Sequence, residues 1–173
     1  RDTIMKDWIY PQPHDPMLLT MHDCIVTRIE LEESEEETRM VWYLPDGIWI
    51  TPEIPCHEIK EMCRTAETRA VFSSKYMYYR DDLSVSISRK CRWHGKNKNL
   101  FTETRACMTL QEFVDKFRTE GWSLEIVNTY TEGKLFLIEG EIHTARKRQA
   151  FKMSFNADNA DFFWNDIHPD RMW

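Results

Sequence analysis

The chain has 173 residues, enough for one domain that buries roughly 70% of its unfolded surface on folding. Apolar residues make up 42% of it, which excludes an intrinsically disordered protein. The 23 Lys and Arg against 29 Asp and Glu give a formal net charge of −6, which disfavours nucleic acid as the main partner and favours a basic one. No segment has the ~20 apolar residues of a membrane span, and the first residues do not show the basic n-region and apolar h-region pattern. We therefore expect a single domain over residues 1–173.

The first third of the chain predicts strands joined by turns. Residues 1–16 contain three prolines and should be extended, and residues 18–31 predict one long strand. Two further strands, residues 39–44 and 48–50, flank Pro-Asp-Gly at 45–47. Because Pro pre-sets φ and Gly accepts a positive φ, this turn predicts a hairpin.

The remaining elements are mostly strands as well. Residues 56–64 fit either a short helix or a loop. The predicted strands are residues 70–79, 83–93, 100–107, 122–130, 134–144 and 148–156. Alternation is clearest in residues 83–93 and in Phe151, Met153 and Phe155, where every second side chain except Arg89 is apolar.

One helix has clear boundary signals. Thr109 and Glu112 match a capping box, and Gly121 is placed to end the helix. Apolar residues with helical spacing follow the cap: Leu110, Phe113, Val114 and Phe117. The aromatic C-terminal segment is expected to dock on a sheet. The sequence thus predicts a mainly β fold with a minor α component: an antiparallel β-sandwich or partly closed barrel with one or two short helices.

The sequence gives little sign of catalysis or metal binding. The five cysteines are Cys24, Cys56, Cys63, Cys91 and Cys107. Their number is odd and no C-x-x-C pair occurs, so we interpret them as small buried residues of a protein from a reducing compartment. The spacing from Cys56 to Cys63 does not match a structural zinc site, even with His57, His22 or His94. No phosphate-binding glycine loop or nucleophile elbow is present. We expect no catalytic residue, cofactor or metal.

Two segments carry a resemblance to a known family. They are residues 42–50 (WYLPDGIWI), preceded by residues 22–26 (HDCIV), and residues 163–173 (FWNDIHPDRMW). Together they resemble the immunity proteins of bacterial polymorphic toxin systems, in particular those of contact-dependent growth inhibition. The resemblance covers most of the chain in layout but rests on these two anchor segments, whose residues look like core and turn positions.

The resemblance implies a cytoplasmic, non-enzymatic protein that binds the C-terminal domain of a cognate secreted toxin and covers its active site. Such toxins are commonly nucleases, and an EndoU-type ribonuclease is the one the resemblance suggests here. A nuclease needs a basic cleft for phosphates, which an acidic partner would match. The anchor segments carry no toxin contacts. From the residues alone, the candidates are loop carboxylates able to mimic a run of phosphates: Glu32, Glu33, Glu35, Glu36, Glu37, Asp81 and Asp82. The competing interpretation is that they are solvated loop charges.

Two other functions remain open from the sequence. A small-ligand-binding β-barrel or sandwich would use an aromatic cavity. Its lining candidates are Trp42, Trp49, Trp93, Tyr76 and Tyr78. An RNA-binding sheet would interleave bases with aromatic rings and cations. Its candidates are Lys90, Arg92, Lys96 and Lys98 beside Trp93 and Phe101. The net acidity argues against the RNA-binding function.

Overall fold

The computed structural model describes residues 8–75, 84–87 and 109–172, and within these ranges the chain forms fourteen strands and one helix. In chain order the elements are β1 (Tyr10–Pro13), β2 (Leu19–Thr20), β3 (Cys24–Val26), β4 (Arg28–Glu33), β5 (Thr38–Leu44), β6 (Trp49–Ile50), β7 (Cys63–Thr65), β8 (Thr68–Ser74), β9 (Ser84–Ile87), α1 (Leu110–Thr119), β10 (Ser123–Glu132), β11 (Leu135–His143), β12 (Arg148–Asn156), β13 (Asn159–Trp164) and β14 (Ile167–Met172).

The strands form three antiparallel sheets. The first sheet has the order β1-β13-β8-β5-β4, the second β3-β10-β11-β12-β9 and the third β14-β7-β6-β2. Every pairing between these strands is antiparallel. The predicted mainly β, antiparallel fold is therefore confirmed. Among the described residues no helix is long and apolar enough to cross a membrane.

An aromatic layer joins the first and second sheets. The Phe72 ring lies 5.1 Å from the Phe155 ring and 5.3 Å from the Phe136 ring, and Trp42 lies 5.0 Å from Phe72. All four side chains are buried. Since two of them belong to each sheet, the sheets pack face to face as in a sandwich. The predicted alternation of β12 is confirmed, because Phe151, like Phe155, is buried while Lys152 is exposed.

The helix forms where its sequence signals placed it. The Thr109 hydroxyl accepts the Glu112 backbone N–H, and the Glu112 carboxylate accepts the Thr109 backbone N–H, which completes the capping box. Phe113, Val114 and Phe117 are buried, and Phe113 stacks on Phe151 of the second sheet. Gly121 has a φ of +63°, as expected just after a helix end.

The predicted long strand over residues 18–31 is wrong. The segment is instead divided among β2, β3 and β4, which belong to three different sheets. Asp23, with a φ of +56°, interrupts the extended backbone before β3, and Thr27 is exposed between β3 and β4. Buried positions are even-numbered in β3 (Cys24 and Val26) but odd-numbered at Ile29 in β4. This reversal accompanies the passage from one sheet to the next.

The turn at residues 45–47 is confirmed, but the predicted hairpin is wrong. The Gly47 N–H donates to the Leu44 carbonyl at 3.0 Å, as in a tight turn, and the φ of Gly47 is +76°. However, β6 pairs with β2 and β7 rather than with β5, which lies between β4 and β8. The turn carries the chain out of the first sheet and into the third.

Three crossings between the first and third sheets meet at one corner. They are residues 45–48, residues 66–67 and residues 165–166, which link β5 to β6, β7 to β8 and β13 to β14. The Ala66 N–H donates to the Asp166 carbonyl at 2.8 Å, and the Ile48 N–H donates to the Thr65 hydroxyl at 2.9 Å. Gly47 lies directly against this backbone. Both anchor segments of the resemblance pass through this corner.

The aromatic C-terminal segment, which was predicted to pack on a sheet, forms the strands β13 and β14. Phe162 and Trp164 of β13 are fully buried between β1 and β8, whereas Met172 of β14 is exposed.

The predicted strand at residues 70–79 begins at Thr68 and is described as far as Ser74. Residues 56–64, which fitted either a short helix or a loop, contain no helix, and β7 begins at Cys63. The predicted strand at residues 100–107, and most of that at residues 83–93, lie outside the described residues.

Gly47 offers a test of this corner. A Cβ there would lie 2.1 Å from the Thr65 carbonyl oxygen and 2.3 Å from that of Ala66. We expect Gly47→Ala to lower the unfolding free energy by about 2–5 kcal/mol, combining backbone strain with overpacking. Gly133→Ala is the matched control, since its φ is also positive (+59°) but nothing lies within 4 Å; it should cost only about 1 kcal/mol. Equal losses in urea unfolding would show that the close approach contributes nothing.

Candidate functional site

The acidic segment is a tight hairpin between β4 and β5. Glu32 and Glu33 lie on β4, so the predicted acidic loop over residues 32–37 is restricted to residues 34–37. The Ser34 N–H donates to the Glu37 carbonyl, and the Ser34 hydroxyl accepts the Glu37 N–H at 3.2 Å. These bonds close the turn and give the carboxylates a defined backbone frame.

Two of the six glutamates in this segment are already paired. Glu37 binds the Arg39 guanidinium at 2.7 Å. Glu30 lies 3.3 Å from Arg28 and accepts the Tyr43 hydroxyl hydrogen bond. Burial, together with the charge of Glu30, raises the pKa of Tyr43. These pairings neutralise the base of the hairpin on both strands.

The other four glutamates form an unneutralised acidic tip, defined here as Glu32, Glu33, Glu35 and Glu36. All four are exposed, and none forms an ion pair with another described residue. The structure thus brings together four of the seven sequence candidates, with Glu37 at the side of the same hairpin. Asp81 and Asp82 lie outside the described residues.

A structural role for these charges must be weighed beside a binding role. Among the described strands, β4 is at the edge of the first sheet. Charged side chains on an edge strand prevent pairing with a second molecule. This explains charge at Glu32 and Glu33 on the strand itself. It does not explain Glu35 and Glu36, which lie in the turn beyond the last paired residues, Glu33 and Thr38.

A polar groove of about 380 Å³ lies beside the hairpin. It is lined by Glu37, Ser73, Ser74, Lys75, Lys134, Asp158 and Asn159. The Lys134 ammonium bound to Asp158 at 2.7 Å, with help from the Lys75 N–H, holds the pKa of that carboxyl below its usual value. The groove's main charges therefore satisfy one another, and the groove adds little to the field of the acidic tip.

A second acidic grouping lies on the outer face of the second sheet. Glu125 of β10 and Glu141 of β11 face each other directly across the strands, and His143 lies two pairs further along, opposite Ser123. The His143 Nε2 atom is 3.2 Å from Glu125 Oε2 and 3.3 Å from Glu141 Oε2. Sequence reasoning missed this cluster. The available signal was the pair of predicted strands at residues 122–130 and 134–144, because alternation places all three side chains on the outward face.

The aromatic candidates for a ligand cavity do not share one pocket among the described residues. Trp42 is fully buried in the layer between the sheets, and Trp49 lies in the third sheet under the Arg64 guanidinium, 4.9 Å from its ring centre. Tyr76, Tyr78 and Trp93 lie outside the described residues. The same is true of the RNA-binding candidates Lys90, Arg92, Lys96, Lys98 and Phe101.

The three described cysteines are held in the thiol form. Burial raises the pKa of Cys24 to about 12, and burial also raises the pKa of Cys56 and Cys63. The thiolate is the form that attacks electrophiles and binds metals, so these environments oppose both roles. The His57 Nε2 atom is also engaged, because it accepts the indole N–H of Trp164 at 2.8 Å.

The anchor residues of the resemblance serve the fold. Trp164 is fully buried, and its ring stacks on His57, which also contacts Tyr10. The Pro-Asp-Gly turn forms the corner described above. Comparison with known proteins adds nothing to the resemblance: no family model, no curated protein and no solved structure matches this chain.

The bond between Trp164 and His57 predicts a pH dependence of stability. Burial lowers the pKa of His57, and only the neutral ring can accept the indole N–H at Nε2. His57 therefore binds a proton more readily in the unfolded chain than in the folded one. Its contribution to the unfolding free energy is fully present above pH 6.5 and declines as the pH falls below 6.5. His14, whose pKa is also lowered by burial, contributes in the same direction.

Two substitutions of His57 separate its proton from its hydrogen bond. In urea unfolding at pH 7.5 and pH 5, both His57→Gln and His57→Phe should show a smaller loss at low pH than the wild type. Only His57→Phe should lose about 1–3 kcal/mol at pH 7.5, because it leaves the buried Trp164 N–H without an acceptor. A wild-type pH slope in both variants would exclude His57 as a contributor.

Proposed function

We propose that this protein is an immunity protein that binds the C-terminal domain of a cognate secreted toxin in the cytoplasm and neutralises it by covering a basic active site. The observation that carries the proposal is the acidic tip: four exposed, unneutralised carboxylates held on one hairpin of a protein with net charge −6. The resemblance of the two anchor segments supplies the protein class. An EndoU-type ribonuclease is the toxin class we propose from that resemblance.

The charge arrangement suits a cleft that binds phosphates. Glu32 and Glu33 are neighbours on a strand and point to opposite sides, while Glu35 and Glu36 extend the charge around the turn. Carboxylates spaced along a backbone can occupy successive positions that phosphates would take on a basic surface. Complementary fields of this kind raise association rates up to ~10⁸–10⁹ M⁻¹s⁻¹ at low salt.

The hairpin is also preorganised. Its second strand, β5, is paired on both sides, and Met40 and Trp42 anchor it in the core. The Ser34–Glu37 hydrogen bonds fix the turn. Because the backbone under the acidic tip is ordered before contact, binding would cost less conformational entropy than ordering a free acidic loop. Asp81 and Asp82 stay in the proposal as further contact candidates from the sequence.

The genomic neighbourhood and a protection assay test the function directly. We expect an adjacent gene for a large secreted protein whose C-terminal domain arrests growth when expressed in the cytoplasm. Coexpression of this protein should restore growth, and the two purified proteins should form a 1:1 complex. Absence of such a neighbour, or growth arrest that coexpression leaves unchanged, would overturn the proposal.

A matched pair of triple variants tests the acidic tip within that complex. The tip variant is Glu33→Gln, Glu35→Gln and Glu36→Gln, and the control is Glu53→Gln, Glu58→Gln and Glu61→Gln, three exposed glutamates between β6 and β7. Both change the net charge from −6 to −3. In stopped-flow measurements at low salt, we expect the tip variant to associate about tenfold more slowly and the control to change much less.

The salt dependence distinguishes steering from a loss of specific contacts. If the tip acts through its field, the difference between the two variants should shrink above ~0.5 M salt, where charges are screened within a few ångströms. Equal association rates for the tip variant and the control would exclude the tip as the steering surface, although the protection assay could still support the immunity function.

A further inference from the structure

We propose that Glu125, Glu141 and His143 form a binding site for a divalent transition-metal ion, with Zn²⁺ as the best match. The site lies on the outer face of the second sheet and does not depend on the proposed immunity function. One ligand atom from each of the three side chains lies within 4.8 Å of the other two. The chemistry is one imidazole nitrogen and two carboxylate oxygens, with room for water as a further ligand.

The distances suit a shared ion better than a shared proton. His143 Nε2 is 3.2 Å from one carboxylate and 3.3 Å from the other, yet this nitrogen carries at most one hydrogen. One proton therefore cannot make a full hydrogen bond to both oxygens. Ligand atoms around a tetrahedral ion with bonds of about 2.0–2.1 Å are about 3.3 Å apart, which matches both measured separations.

In the part of the chain that the structure describes, His143 is the one positively chargeable group paired with the two carboxylates. Glu125 and Glu141 are directly opposed across β10 and β11, an arrangement that repels when both are ionised. Arg148 lies opposite His143 on β12 but forms no ion pair with the described carboxylates, and Lys152 is bound to Glu139. Among the described residues, only His143 approaches the pair closely, so a bound cation would relieve the repulsion.

The backbone holds the three ligands in place. Both strands are internal to the second sheet, where β10 lies between β3 and β11. Gly140 permits a close approach of these strands, because a Cβ there would lie 1.9 Å from the Glu125 carbonyl oxygen. The three side chains are 20–45% exposed, which leaves a solvent side for an entering ion. Opposite Glu141 on β12 is Ala150, whose methyl group leaves that side open.

The test is a metal titration of the full chain after treatment with a chelator. We expect isothermal calorimetry to show one Zn²⁺ bound per chain and Zn²⁺ to raise the melting temperature by about 3 °C or more. His143→Gln and Glu141→Gln should each weaken Zn²⁺ binding by about 100-fold or more. The control is Glu139→Gln, which removes a carboxylate from the same face of β11 but outside the cluster, and it should bind Zn²⁺ like the wild type.

Co²⁺ serves as a second probe because its spectrum reports the ligand atoms. Visible absorption of a tetrahedral Co²⁺ site without thiolate charge-transfer bands would support the three proposed ligands. Thiolate bands would place the ion at cysteines and overturn the proposal. Undetectable Zn²⁺ binding by the wild type would also overturn it, as would equal affinity in the wild type and the His143→Gln variant.

Discussion

The fold depends on the corner where the first and third sheets exchange strands. Gly47, with a φ of +76°, lies against the backbone of Thr65 and Ala66, and the Ala66 N–H binds the Asp166 carbonyl. Three separate crossings are therefore locked to one another by backbone contacts, with little adjustment available from side chains. The edges of the first sheet, including the acidic hairpin, are positioned through β5 and β8, which both leave this corner. Residues near 47, 66 and 166 are distant in sequence, so the contact also closes long loops.

The sequence predicted best where structure is determined locally. The helix was found because Thr109 and Glu112 cap it within four residues, and β12 was found because Phe151, Met153 and Phe155 alternate. The hairpin at residues 39–50 failed because a Pro-Asp-Gly turn reverses the chain without fixing its next partner. Whether β6 pairs with β5 or with β7 is decided by the close packing of Gly47 on Thr65, which no local pattern encodes. The division of residues 18–31 into β2, β3 and β4 likewise reflects pairing with three different sheets, which the local pattern does not encode.

The sequence shows which charged residues the candidate site contains, whereas the structure shows which of them are paired. The run of glutamates is visible in the sequence, and the structure adds that Arg39 and Arg28 neutralise Glu37 and Glu30 while the four tip residues stay unneutralised. Each of these ion pairs joins residues two apart on one side of the hairpin, so extended backbone places both side chains on the same face. The cluster at His143 depends instead on the register between β10 and β11, which shifts at the bulge near Val127. Counting residues back from the turn without that bulge would misalign Glu125 and Glu141.

Geometry decides what each group of carboxylates can bind. The acidic tip is surrounded by water, where a charge pair at 4 Å interacts by only about 1 kcal/mol. Its glutamates therefore hold no single ion tightly, but their summed field extends over the ~10 Å Debye length at 0.1 M salt and can orient a large basic partner. Glu125 and Glu141 are partly buried and converge on one nitrogen, so their field is concentrated in a space the size of one ion. The same residue type thus favours a protein surface at the hairpin and a small cation on the second sheet.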